Sequence, residues 1–165
     1  MADTVLEQIA ALKDEDWAVR EDAAVALGGL RDKRAVEPLI AVLRDADRAV
    51  REAAIAALTA IGEPAVEPLG ACLHDRNLTV QESAAAILAS IGDARVADEL
   101  IAALASIDWV VRMHAARALA RIGDARAIPS LLPLLQDKVK AVREETSGAL
   151  ARLGPAALPV LVEVD

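Results

Sequence analysis

The sequence predicts an all-α fold, a solenoid of five stacked helix pairs, and three observations carry that reading. The stretch Asp45 to Gly62, D-A-D-R-A-V-R-E-A-A-I-A-A-L-T-A-I-G, recurs in close copies from Asp14, Asp75, Ser106 and Asp137. Its valine falls at Val19, Val50, Val80, Val111 and Val142, giving spacings of 31, 30, 31 and 31 residues. A fixed period in this range marks units that cannot bury an apolar side alone and therefore stack. Within each copy the apolar residues recur at helical spacing, as Val50, Ala54, Leu58 and Ile61 do, and a breaker follows. Finally, the 165 residues include two Trp and no Phe or Tyr. Ala, Leu, Val and Ile must fill the interior, which suits thin layers of closely approaching helices.

Each element can be justified in turn. A short helix from Thr4 to Leu12 carries Val5, Ile9 and Leu12 on one side and precedes a longer one from Trp17 to about Leu30. Ala35 to Leu43 has Val36, Leu39, Ile40 and Leu43 at i, i+3, i+4 and i+7. It pairs with the helix that Asp47 caps by accepting from the first-turn N–H groups. Ala65 to Leu73 pairs with Leu78 to Ile91, Val96 to Leu104 with Trp109 to Ile122, and Ala127 to Leu135 with Lys140 to Leu153. The repeats thus span 4–30, 35–61, 65–91, 96–122 and 127–153 of a single domain covering 1–165, with a terminal half-repeat at 156–164. Gly62, Gly92, Gly123 and Gly154 close the second helices, where a left-handed residue is wanted. In the first repeat Arg31 holds that position and Gly28-Gly29 lie just inside, so a frayed or irregular end is expected there. Pro38 and Pro68 fall in the first turn, where a missing N–H does little harm. Pro133 sits deeper and predicts a kink or a late start. The half-repeat 156–164 lacks a partner helix; it serves as a modest cap, precedes further chain, or is covered by a second molecule in self-association.

Composition narrows the function. With 18 basic and 26 acidic side chains the formal charge is −8. Phosphate neutralisation needs a basic surface, so a general nucleic-acid binder is not expected, nor adhesion to an anionic membrane. Charges interrupt every apolar stretch, so no membrane span is expected. Cys72 is the one cysteine, which rules out an intrachain disulfide and fits a reducing compartment. No basic start followed by an apolar run is visible at the N-terminus. A cytoplasmic location is the expectation.

The segments V-R-E-A-A-I-A-A-L-T-A-I-G, G-D-A-R-A-I-P-S-L-L-P-L-L and R-A-V-E-P-L-I-A-V-L resemble the short HEAT-like repeats of the phycobilisome-lyase (PBS lyase) type. The resemblance covers the chain from about Thr4 to Val164. It implies a right-handed α-α superhelix whose concave face is formed by the Val-Arg helices. Relatives of this type include bilin lyases, a di-iron hydroxylase, uncharacterised scaffolds and artificial binders. It further implies a structural ladder between layers, in which Asp14, Asp45, Asp75 and Asp137 pair with Arg20, Arg51, Arg112 and Arg143. Gln81 and Ser106 interrupt that series.

No catalytic constellation stands out. The hydroxylase of this fold places His-Glu after the Val-Arg pair. The matching positions here are Glu21-Asp22, Glu52-Ala53, Glu82-Ser83, Met113-His114 and Glu144-Glu145, and His114 alone does not make an iron site. A bilin carries two propionates and favours a basic, aromatic-lined groove, against which stand the glutamates at 21, 52, 82 and 144. No phosphate loop, nucleophile elbow or paired-cysteine metal motif occurs. Cys72 reads as a small buried filler, and His74 as a partner of a helix C-terminus. No metal or cofactor is expected, and the chain is not expected to be an enzyme.

Stacked in register, the second helices present columns. The first reads Trp17, Arg48, Leu78, Trp109, Lys140; the second Glu21, Glu52, Glu82, Met113, Glu144. The third reads Asp22, Ala53, Ser83, His114, Glu145, and the fourth Val25, Ala56, Ala86, Arg117, Gly148. Both tryptophans share one column, and repeat four replaces the acidic pattern with Trp109, Met113, His114 and Arg117. Trp and Arg dominate many interfaces and Met adapts to varied partners. A protein-interaction scaffold for a protein or peptide follows, with the glutamates steering basic partners. The competing reading has both tryptophans packed over neighbouring helix ends above a solvated face. Bilin-lyase chemistry stays open by resemblance.

Overall fold

The computed structural model of the protein describes residues 2–154. The described residues are all-α, and the expected half-repeat 156–164 lies outside them. The helices are α1 (Thr4–Ala11), α2 (Trp17–Leu30), α3 (Val36–Val42), α4 (Arg48–Ile61), α5 (Val66–Cys72), α6 (Leu78–Ile91), α7 (Ala97–Ala103), α8 (Trp109–Ile122), α9 (Ile128–Leu131) and α10 (Lys140–Leu153). The even-numbered helices are each 14 residues long. They stack side by side through the molecule, and each also packs on the short helix before it.

Local chemistry fixes where these helices begin and end. Asp3, Asp16, Asp47, Asn77 and Asp108 each accept from first-turn N–H groups. Ahead of α10 the same position holds Val139, which caps nothing with its side chain. At the other end Gly92 and Gly123 adopt the left-handed conformation. The expected irregular end of α2 is corrected: the helix runs straight through Gly28 and Gly29. It closes at Arg31, which takes the left-handed conformation (φ 52°, ψ 34°) and donates its N–H to Leu27 O.

The short helices α3, α5, α7 and α9 start later than periodicity suggests, because each is entered through a 3-10 turn. The turns are Lys33–Ala35, Glu63–Ala65, Ala94–Val96 and Ala125–Ala127. Asp32, Asp93 and Asp124 cap three of them by accepting from the N–H groups of Arg34, Arg95 and Arg126. The connection after α4 has no such aspartate. There Gly62 (φ 75°, ψ −123°) both ends α4 and leads directly into the turn. That omitted residue is why this one spacing is 30 rather than 31. Pro133 produces neither a kink nor a late start but an early end. It has no N–H to give to the helix, so α9 stops at Leu131 and a 3-10 turn, Leu132–Gln136, takes over.

The expected ladder is mainly a set of turn clamps. Arg20, Arg51, Arg112 and Arg143 each donate to the backbone carbonyl that opens their own repeat's turn, at 2.7–2.8 Å. Gln81 donates to Asp75 O in the same way. Among the described residues only Arg20 and Arg112 also reach the next layer, where each makes a bidentate pair, Arg20 with Asp45 and Arg112 with Asp137. Asp75 is taken instead by Arg44, across the shortened connection, so Arg51 has no acidic side chain to meet. Asp14, in the first described turn, accepts from Asp16 N–H.

The interior is aliphatic. Leu27, Leu58, Leu88 and Leu119 share one register position on the second helices, and Leu39, Leu69, Leu100 and Leu131 another on the first; all are buried. Val50, Val80, Val111 and Val142 are buried as well, whereas Val19, in the first described layer, is 37% exposed. Layer spacing follows side-chain size. A Cβ on Gly28 would lie 2.9 Å from Ala57 Cα, so α2 and α4 meet backbone to backbone. The position of Ala57 is Ala118 and Ala149 in later layers but Ile87 in α6, and that of Ala24 is Ile55 in α4. The α4–α6 approach is accordingly the widest among neighbouring second helices.

Candidate functional site

The first-column residues Trp17, Arg48, Leu78, Trp109 and Lys140 open α2, α4, α6, α8 and α10. A residue at the first position has a half-free turn beneath it, and these side chains stand out rather than fold in. Trp17 is 49% exposed, Leu78 41% and Trp109 42%. The two basic members are occupied within their own helices: Arg48 binds Glu52 at 2.7 Å and Lys140 approaches Glu144 at 3.4 Å. These exposed i,i+4 pairs add little stability, but they neutralise the charge that the columns offered at repeats two and five. The apolar members therefore stand alone at repeats one, three and four.

The remaining candidates separate. Glu21 is half-buried. Glu82 lies against Asp108, and that second carboxylate, with burial, pushes the Glu82 pKa up to about 7. Met113 and His114 are half-buried, and Arg117 binds Glu145 at 2.7 Å. Burial, and then Arg117, lower the pKa of His114, which keeps its imidazole neutral at pH 7. A 530 Å³ groove between α8 and α10 is lined by Met113, Arg117, Glu144, Gly148 and Arg152, among others. Trp109 is not part of its lining, so the expected cluster of repeat four divides into a tryptophan at the helix start and a groove further along. A second groove, 290 Å³ and mostly apolar, lies between α2 and α4 along Val25, Gly29, Ala53, Ala56 and Ala60; Trp17 does not line it.

The column reading stopped one turn short of Arg121 and Arg152. They occupy the register position held by Gly29, Ala60 and Ser90 in earlier repeats, and that shift from small to basic was the available signal. Ile107, 88% exposed in the turn before α8, was also missed, since a single loop isoleucine has no periodic partner. Among the described residues no group of three or more His, Cys, Asp or Glu could hold a metal. Cys72 is half-buried rather than buried, and burial raises its thiol pKa, which leaves little thiolate for chemistry. No described helix is long and apolar enough to cross a membrane.

This architecture is that of an α-helical repeat protein, and the chain belongs to the HEAT-repeat family: residues 5–89 and 97–164 match the model of HEAT repeats. Within that family residues 80–106 match the PBS lyase HEAT-like repeat. No curated protein matches the chain. Among solved structures it is similar to the complex of CpcE and CpcF of phycocyanin lyase from Nostoc sp. PCC7120. The identity is 30% and the TM-score 0.71, over 99% of this chain and 71% of that one. An engineered protein is similar at 26% identity and TM-score 0.66, over 98% and 85% of the two chains. A designed armadillo repeat protein, solved with the peptide (KR)4, shares the fold at 21% identity and TM-score 0.63, over 89% and 80%.

Proposed function

We propose that the protein is a non-catalytic scaffold that binds a protein or peptide partner along a concave face made by α2, α4, α6, α8 and α10. One observation carries this reading. Trp17, Leu78 and Trp109, large and apolar, stand exposed at the same register position of three rigid helices, while the charged members of that column are self-paired. Exposed apolar groups repeated on one rigid face mark an interaction surface. The groove beyond Trp109, with Met113, Arg117 and Glu144, supplies adaptable and charged contacts next to them. The similar CpcE and CpcF chains form a complex with one another, which supports a protein partner.

The test is a random-peptide display library selected on the wild-type chain. Peptides recovered should lose binding to the Trp109→Ala, Arg117→Ala variant by about 100-fold, the loss of two interface anchors, while circular dichroism stays unchanged. Peptides that bind the variant equally well would remove these residues from the site.

A second reading, favoured by the 30% identity to a phycocyanin lyase complex and by the PBS lyase-type repeat, is a chromophore-handling protein. Adding a free bilin, with and without a phycobiliprotein subunit, should then shift the bilin absorption band. An unshifted spectrum in both cases eliminates it.

A further inference from the structure

A cavity of 340 Å³ opens between α6, α8 and α10, towards their C-terminal ends. Ser90 comes from α6, His114, Arg117 and Arg121 from α8, and Arg152 from α10. Arg117 is engaged by Glu145, whereas Arg121 and Arg152 have no acidic partner among the described residues. Arg121 is held in place by packing. A Cβ on Gly92 would fall 2.9 Å from Arg121 Cδ, so the glycine that ends α6 makes room for the arginine to lie across it. An arginine near a helix C-terminus gains from the helix dipole. That accounts for each of Arg121 and Arg152 singly, but not for three guanidinium groups around one cavity in a chain of charge −8.

Among the described residues the three guanidinium groups that line the cavity are met by one carboxylate, Glu145 on Arg117, which leaves an excess of two positive charges. His114 adds none, because burial and Arg117 keep it neutral, and its buried Nδ1 has no hydrogen-bond partner among the described residues.

We propose that this cavity binds a phosphate monoester. Guanidinium forks match phosphate oxygens bidentately. A phosphate monoester carries a charge of about −1.5 to −2 at neutral pH, which matches the excess, whereas one carboxylate leaves a charge over. The phosphate belongs either to a small molecule or to a phosphorylated side chain. Arg117 and Arg152 also line the groove between α8 and α10, so a phosphorylated peptide can lie along that groove with its phosphate in the cavity. The site does not depend on the scaffold reading, since it is built by this chain alone.

The test follows the ring resonances of the protein's two histidines by NMR while inorganic phosphate is added at constant ionic strength and pH 7. His114 should shift saturably, with its pKa raised by the bound dianion, while His74 stays still. Arg121→Gln and Arg152→Gln, both at exposed positions, should each weaken binding by about tenfold, one charge-assisted contact apiece. The circular dichroism spectrum of each variant checks that it is folded. Acetate should give a weaker response at equal ionic strength. A phosphoserine peptide binding more than about tenfold tighter than inorganic phosphate identifies a phosphorylated side chain; equal affinity identifies a small phosphorylated molecule. The proposal is overturned by an unsaturated or absent His114 shift at about 100 mM phosphate, a concentration that fills any site of millimolar affinity. It is equally overturned by an unchanged dissociation constant in both glutamine variants, or by acetate matching phosphate.

Discussion

Two residues depart from the repeat's own chemistry, and each predicts a stability change. Val139 holds the cap position that is Asp or Asn in the other four repeats, with extended backbone (φ −95°, ψ 121°) already suited to capping. Val139→Asp should raise stability by about 1 kcal/mol, measured by chemical denaturation, through a new acceptor for the first turn of α10 and a favourable charge at its start. No gain would mean that the Val139 side chain contributes packing of equal size. Arg31 is the second case. Its left-handed backbone is strained for a residue with a Cβ, so Arg31→Gly should stabilise by about 0.5–1 kcal/mol. The reverse change at Gly62 would fail, because φ 75° with ψ −123° lies outside the left-handed well that arginine can enter. This contrast shows why repeat one tolerates an arginine at its helix end and repeat two cannot.

At the scale of helices, spacing is set by the residues between layers. Gly28 and Gly29 are neighbours in sequence with opposite roles. A Cβ on Gly28 would strike Ala57 Cα at 2.9 Å, while one on Gly29 meets nothing within 4 Å. Gly28→Ala should therefore destabilise by about 1–3 kcal/mol through forced separation of α2 and α4. Gly29→Ala should stabilise by up to about 1 kcal/mol through helix propensity alone. Equal effects in thermal melts would contradict the close approach. Ile87 occupies the matching position in α6 and is fully buried. Ile87→Ala should cost about 2–5 kcal/mol, as the wider α4–α6 seam cannot close around the cavity. The ten helices of the described residues were legible from apolar periodicity and breakers, because stacking makes every repeat solve the same packing problem. The 3-10 turns were not, since three residues carry no period and their caps, Asp32, Asp93 and Asp124, lie off the apolar stripe. At the candidate site the columns were legible as register positions. Whether members of different columns touch was not, because Arg48–Glu52 and Arg117–Glu145 depend on rotamers that sequence spacing leaves open.

Across the whole molecule, charge couples stability to pH through groups that pull in different directions. Arg34, Arg44 and Arg95 hold Asp32, Asp75 and Asp93 down at about 2. Each therefore stabilises the fold at neutral pH, and that contribution fades only as pH falls from the unfolded value near 3.8 towards 2. Glu82 behaves oppositely. In the unfolded chain it ionises near 4.5, whereas against Asp108 it holds its proton up to about 7. The folded state thus binds the extra proton between these values. Its contribution is present below about 4.5 and is lost as pH rises through about 7, when two carboxylates face one another. His114, lowered by burial and Arg117, works the other way, since its contribution is lost as pH falls below its unfolded pKa of 6.5. Comparing wild type with Glu82→Gln isolates the carboxyl, because His114 is common to both. The amide mimics the protonated acid, so the two proteins should melt nearly together at about pH 4, below the unfolded pKa. At pH 8 the Gln variant should melt higher by about 2 °C, a modest figure because Glu82 keeps access to solvent that screens the repulsion. A difference between the two melting temperatures that is the same at about pH 4 and at pH 8 would show that the Glu82 carboxyl is not held protonated against Asp108 across the α6–α8 seam.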